Sequence, residues 1–168
     1  MRAHPICRSE PPGRDPLLAA RAGEHPSLIA KLRSGYVTMG ETQFLPGYCV
    51  LLVDSGPRVE HLTDLPRPER TRFLCDLGLI GEALTAACPV WDPAFTRLDY
   101  EILGNRWRRL AAHVFPRYAW EPVELRGGSV WAYPPERWTD PAYALGPAHE
   151  RLLESIAREL SRVLAEAY

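Results

Sequence analysis

Residues 98–118 read Leu98-Asp99-Tyr100-Glu101-Ile102-Leu103-Gly104-Asn105-Arg106-Trp107-Arg108-Arg109-Leu110-Ala111-Ala112-His113-Val114-Phe115-Pro116-Arg117-Tyr118. Two β-prone runs, Thr96–Leu103 and Arg109–Phe115, flank a turn at Gly104–Arg108, and this predicts two antiparallel strands. Successive side chains of a strand point to opposite faces. Leu110, Ala112 and Val114 therefore turn toward a core, while Arg109, Ala111 and His113 share the other face. A slip of one residue would turn Leu110 and Val114 outward, so the apolar pattern pins the register.

The neighbouring segments supply the rest of a sheet and its cover. Gly47–Val53 is apolar on both faces and reads as a central strand, with a shorter β-prone run at Tyr36–Met39 before it. After the turn Asp54-Ser55-Gly56-Pro57, a helix opens at Asp64 or Pro66. It carries Phe73, Leu74, Leu77, Ile80, Gly81 and Leu84 at helical spacing, and Pro89 is expected to stop it. Gly78 and Gly81 predict close packing of this helix on the sheet. Residues 119–147 set Trp120, Trp131, Tyr133 and Trp138 among prolines and read as a loop that wraps apolar surface. Leu152, Leu153, Ile156, Leu160, Val163 and Leu164 define an amphipathic C-terminal helix. Residues 1–27, broken by Pro5, Pro11, Pro12, Pro16 and Pro26, read as an irregular Pro-rich N-terminal arm. The expected fold is α+β, an antiparallel sheet with a long helix on it and a terminal helix.

Composition narrows the functional classes. The chain has 168 residues, 46% hydrophobic and 24% charged, which suits one globular core and excludes wholesale disorder. A formal net charge of −1 argues against nucleic-acid binding through bulk positive charge. Of 20 basic side chains only Lys31 is a lysine. Where planar guanidinium forks cluster, they suit phosphate or carboxylate better than ammonium groups do. No stretch approaches the length of an uninterrupted apolar membrane span, and without an apolar run after residues 1–8 a secretory leader is not expected. Cys7, Cys49, Cys75 and Cys88 form no CxxC pair and read as buried thiols, which fits a cytoplasmic protein. His4 and Cys7 offer two ligands where a structural zinc needs four, so no metal is expected.

Three stretches, in order, carry a resemblance. Residues 98–118, the segment Gln43-Phe44-Leu45-Pro46-Gly47-Tyr48-Cys49-Val50-Leu51-Leu52, and Val59-Glu60-His61-Leu62-Thr63-Asp64-Leu65 resemble the histidine triad (HIT) superfamily. They are most similar to its bacterial branch of diadenosine polyphosphate hydrolases, whose corresponding segment reads roughly N-Y-E-L-L-G-N-x-x-P-H-L-H-W-H-x-x-P-R-Y. The similarity covers about residues 28–122, which leaves 1–27 as the arm and 123–168 as the wrapping loop and terminal helix. The resemblance implies a pocket lined by three alternating histidines. In the family the middle histidine attacks a nucleotide α-phosphorus and forms a nucleotidyl intermediate that water then releases.

This chain departs from that pattern where the chemistry would occur. The three alternating positions are Arg109, Ala111 and His113, and the position of the nucleophile is Ala111. A methyl group cannot attack phosphorus. A fourth family histidine aligns with Arg58, and the first Asn of the family segment is Asp99, which sits in the pocket or pairs with an arginine. Asn105 and His113 are retained. The expected ligand-binding set is thus Arg58, Asp99, Asn105, Arg109 and His113, with His113 the one candidate for residual catalysis. Arg106 and Arg108, on the turn, read as solvated charges, and Trp107 as local packing.

The resulting expectation is a HIT-fold protein that binds a nucleotide or another phosphorylated small molecule without the family's covalent step and without a cofactor. Two alternatives stay open. One is an enzyme of divergent chemistry using His113 with Asp99 or an arginine; the other is a ligand-free interaction module. Membrane and nucleic acid are not expected as partners. A homodimer is, with the long helix or the C-terminal segment as its seam.

Overall fold

The computed structural model describes residues 15–56, 59–103 and 109–168. Arg58, Asn105, Arg106, Trp107 and Arg108, like His4 and Cys7, lie outside the described residues. Five strands, β1 (Leu28–Lys31), β2 (Gly35–Met39), β3 (Cys49–Val53), β4 (Phe95–Leu103) and β5 (Ala111–Tyr118), form one antiparallel sheet in the order β1-β2-β3-β5-β4. The long helix α2 (Arg67–Trp91) connects β3 to β4, the edge strand.

One face of the sheet carries the main core. Val37 and Met39 from β2, Cys49, Leu51 and Val53 from β3, and Ala112 and Val114 from β5 meet Phe73, Leu77, Ile80, Leu84 and Cys88 of α2. The amphipathic C-terminal helix α4 (Glu150–Ala167) closes this layer with Leu152, Ile156, Leu160 and Val163. By length and composition α2 could cross a membrane, but half of that apolar stretch is buried here against the sheet and α4. Its apolar character thus has a use inside the fold.

The two helical glycines differ. A Cβ on Gly81 would collide with the Tyr100 hydroxyl of β4, whereas a Cβ on Gly78 would meet open space. Close packing on the sheet therefore holds at Gly81 alone.

Three expectations need correction, and one strand was not anticipated. Pro89 does not stop α2, which runs on to Trp91; in the last turn a missing N–H forfeits one bond, and Asp92 N–H closes the end on the Cys88 carbonyl at 2.8 Å. The arm is not irregular throughout, because Pro16–Arg21 forms a short helix, α1. Proline at its first position costs nothing, and Asp15 caps it by accepting the Leu17 N–H at 2.9 Å. Strand β1, whose four residues are all partly or fully exposed, has no alternating apolar pattern to announce it. Cys49 and Cys88 are buried, but Cys75 is exposed on α2.

The glycine contrast is testable by urea denaturation. Gly78→Ala should stabilise the protein by up to about 1 kcal/mol, the helix-propensity gain. Gly81→Ala should destabilise it despite the same gain, because Tyr100 must move.

Candidate functional site

On the second face of the sheet, register aligns Tyr36, Leu52, Ala111 and Leu103 in one row and Thr38, Val50, His113 and Glu101 in the next. Beyond them Asp99 stands opposite Phe115. Different segments cover the two ends of this face.

Helix α1 covers the first end. Leu17 and Ala20 pack on Tyr36, Leu52 and Ala111, and Ala111 is only 3% exposed. Two ion pairs hold the helix down. Asp15 meets Arg109 at 2.9 Å, and Arg21 meets Asp54 beyond the end of β3. Arg109 is thus already engaged by the residue that caps α1.

The wrapping loop covers the other end. It is a chain of single turns, α3 (Val123–Arg126) followed by 3₁₀ turns at Val130–Ala132, Pro135–Trp138 and Pro141–Tyr143. Val130, Tyr133 and Trp138 enter an aromatic cluster with Phe44, Tyr48, Phe115 and Tyr118, as the sequence led one to expect. Trp120 stays half exposed at the cluster's edge, stacked on Tyr118 with its indole N–H on Asp92 at 2.9 Å.

Arg117 anchors this loop. Its guanidinium is fully buried, donates Nε to both oxygens of the buried Glu121 at 3.0 Å, and also pairs with Asp99. Its remaining donors reach the carbonyls of Leu125 and Gly128 at 2.9 Å and Arg126 at 3.2 Å. Glu121 in turn accepts the Tyr118 N–H at 2.6 Å and the Tyr133 hydroxyl at 2.7 Å. Burial alone would weaken the guanidinium's charge, but Glu121 and Asp99 outweigh it and raise the Arg117 pKa. Of the two roles open to Asp99, the observed one is pairing with arginines, Arg117 and Arg97.

Between the two covers lies a window at His113 and Val50, both partly exposed. The imidazole Nδ1 is 2.7 Å from the Tyr48 hydroxyl, with Phe115 parallel to the ring at 6.1 Å and Trp131 edge-on at 6.3 Å. This surrounding mass disfavours the charged form and lowers the His113 pKa to about 4. The acid level with His113 is Glu101, which accepts the Trp131 indole N–H and the Ser129 hydroxyl. Of the expected set, the structure brings His113 and Arg109 to one face near Ala111 and commits Asp99 elsewhere. Sequence reasoning missed Tyr48, Glu101 and Trp131. Alternation along β4 puts both Asp99 and Glu101 on this face, and the cross-strand register sets Glu101 beside His113; nothing local marks Tyr48 or Trp131.

A shallow cleft of about 230 Å³ opens elsewhere, between Arg33, Ser34, Asp54, Glu69 and Arg72. None of the expected site residues lines it, and its carboxylates Asp54 and Glu69 are already bound to Arg21 and Ser55.

Two outcomes follow from the buried charges. Arg117→Met leaves Glu121 without its counter-ion and should cost about 3–5 kcal/mol in denaturant unfolding. His113 should stay neutral in an NMR titration until about pH 4. The unfolded chain protonates it near pH 6.5, so its contribution to stability is complete above that value and falls on acidification toward pH 4.

No protein-family model and no curated protein matches this sequence. Solved structures do. A histidine triad protein from Marinobacter aquaeolei VT8 is 19% identical, with a TM-score of 0.59 over 83% of this chain and 88% of that one. A HIT protein from Sinorhizobium meliloti 1021 is 18% identical, TM-score 0.61, over 84% and 92%. A zinc-bound histidine triad family protein from Mycobacterium smegmatis is 15% identical, TM-score 0.60, over 89% and 94%. With the element order, sheet and covering helices described above, these likenesses establish that the chain has the histidine triad fold.

Proposed function

We propose that this HIT-fold protein binds a nucleotide or another phosphorylated small molecule non-covalently at the window around His113. The observation that carries the reading is the pairing of two neighbouring positions on one strand face. Ala111 offers a methyl group under Leu17 and Ala20, while His113, two residues on, keeps a neutral imidazole in a partly open place. Trp131, beside the imidazole, supplies an aromatic edge for a base. Arg109 stands on the same face and becomes an anion ligand by exchanging Asp15 for phosphate. Arg58 and Asn105 complete the ligand set expected from sequence. Asp99 is no longer proposed for it, since Arg117 holds that carboxylate.

Covalent catalysis by the family route needs an imidazole at 111. The reading is therefore of a ligand-binding protein in which hydrolysis is absent or altered. Three described cysteines are free thiols, which supports a reducing, cytoplasmic setting.

The test is thermal unfolding with AMP, ADP, GMP and dinucleoside polyphosphates. Ligand at about 100 times its Kd stabilises by about 2.7 kcal/mol, or roughly 5–10 °C for a chain of this size. His113→Ala should remove the shift, and α-phosphate label should not remain on denatured protein. No shift with any of these at millimolar concentration defeats the binding reading. Trapped label defeats the non-covalent one. Ala111→His alone should not produce robust turnover, because position 111 is buried in one cluster with Leu17 and Ala20, and Arg58 and Arg109 stand at two other family histidine positions.

For a homodimer, the favoured seam is the long helix together with the neighbouring edge strand β4. Helix α4 spends its apolar face on the core, whereas Leu74 on α2 and Tyr100 and Ile102 on the edge strand β4 remain exposed. An unpaired edge strand can pair antiparallel with its own copy. Sedimentation at micromolar protein should show a dimer that Leu74→Glu with Ile102→Glu dissociates; a monomeric parent protein removes this seam.

A further inference from the structure

The fixed neighbour of His113 is Tyr48, and its position is imposed from three sides. The Tyr48 ring stacks on Phe115 at 4.3 Å and 14°. It also lies against Gly40, where a Cβ would collide with it. Its own carbonyl accepts the Gly40 N–H at 2.9 Å and the Gln43 side-chain amide at 3.1 Å. The hydroxyl therefore sits at a set place, 2.7 Å from Nδ1 of His113.

The direction of that hydrogen bond decides what His113 can do. A phenol, with a pKa near 10, is a far better proton donor than a neutral imidazole N–H, and an imidazole lone pair is the better acceptor. The favoured arrangement has Tyr48 O–H donating to Nδ1. The ring's one remaining proton is then on Nε2.

We propose that Tyr48 holds the neutral imidazole of His113 in its Nε2–H tautomer, so that His113 meets a ligand as a fixed hydrogen-bond donor to an anionic oxygen. Tyr48 is a positioning residue, acting through His113. This deepens the binding reading above and rests on it for the ligand. It also separates that reading from the enzyme alternative. A nucleophile or general base at Nε2 needs its lone pair there, and in this tautomer the lone pair is on Nδ1, already taken by Tyr48.

The experiment is long-range ¹H–¹⁵N correlation NMR on the full ¹⁵N-labelled chain near neutral pH, with the His113 signals identified by their loss in His113→Asn. Nδ1 should show a pyridine-like shift and Nε2 a pyrrole-like one. Tyr48→Phe keeps the stacked ring, and its two nitrogen shifts should move toward each other as the tautomers mix. Should that variant fail to fold, the parent signature still decides: a pyrrole-like Nδ1, or averaged shifts, overturns the proposal. Equally, a parent pattern that persists unchanged in folded Tyr48→Phe overturns it. AMP titration reads the binding separately, and Tyr48→Phe should weaken it about 3- to 10-fold, the worth of one positioned hydrogen bond. A locked tautomer with no AMP binding would sink the ligand assignment and leave the tyrosine's role intact.

Discussion

Everything on the second face of the sheet follows from the two-residue alternation of β5. Ala112 and Val114 enter the core beneath α2, where they meet its buried apolar face. That commitment fixes Ala111, His113, Phe115 and Arg117 on the opposite face, in that order along the strand. Each of the four then meets a different environment. Ala111 lies under α1, His113 at a window, Phe115 in an aromatic cluster, and Arg117 in a buried ionic network. One strand thus spans the whole range from dry cover to solvent.

The two covers are held by different physics. Helix α1 has six residues, too short to persist on its own helical propensity. Leu17 and Ala20 seat it, and ion pairs at Asp15 and Arg21 set its orientation. The wrapping loop has few long-range backbone bonds and is organised instead around one guanidinium that takes three of its carbonyls. Arg117 suits this task because its donors form a rigid planar fork, which a lysine ammonium does not. A buried ion pair contributes little net stability but leaves a large penalty when one member is removed. Here it specifies where the loop goes.

The sheet, the long helix and the C-terminal helix were legible because each has a periodic apolar pattern tied to one core. The strand register around His113 was legible for the same reason. Four things were not. Strand β1 is only partly buried, without alternation, and pairs through its backbone, which leaves no trace in side-chain pattern. Helix α1 hides in a proline-bearing segment because Pro16 is at its first position, where proline is favoured. Asp99 and Glu101 alternate onto the same face, but which of them stands beside His113 depends on the cross-strand register, and Asp99 was taken by Arg117, 18 residues along the chain and across the hairpin. The Tyr48 contact spans 65 residues of sequence and has no local signature.

Alanine at 111 and the seating of α1 are physically one arrangement. The side chains above position 111 are Leu17 and Ala20, both almost fully buried, and they contact a surface made by Tyr36, Leu52 and Ala111. An imidazole at 111 would bring two polar nitrogens beneath that helix, and a buried polar group without a partner costs roughly 1–3 kcal/mol. The cover favours a small apolar residue at 111, and a small apolar residue at 111 lets the cover close. The Asp15–Arg109 pair belongs to the same unit, since it ties the cap of α1 to the residue two positions before Ala111 on that face. Polar chemistry on this strand is thereby displaced toward His113, where Tyr48 and the window meet it.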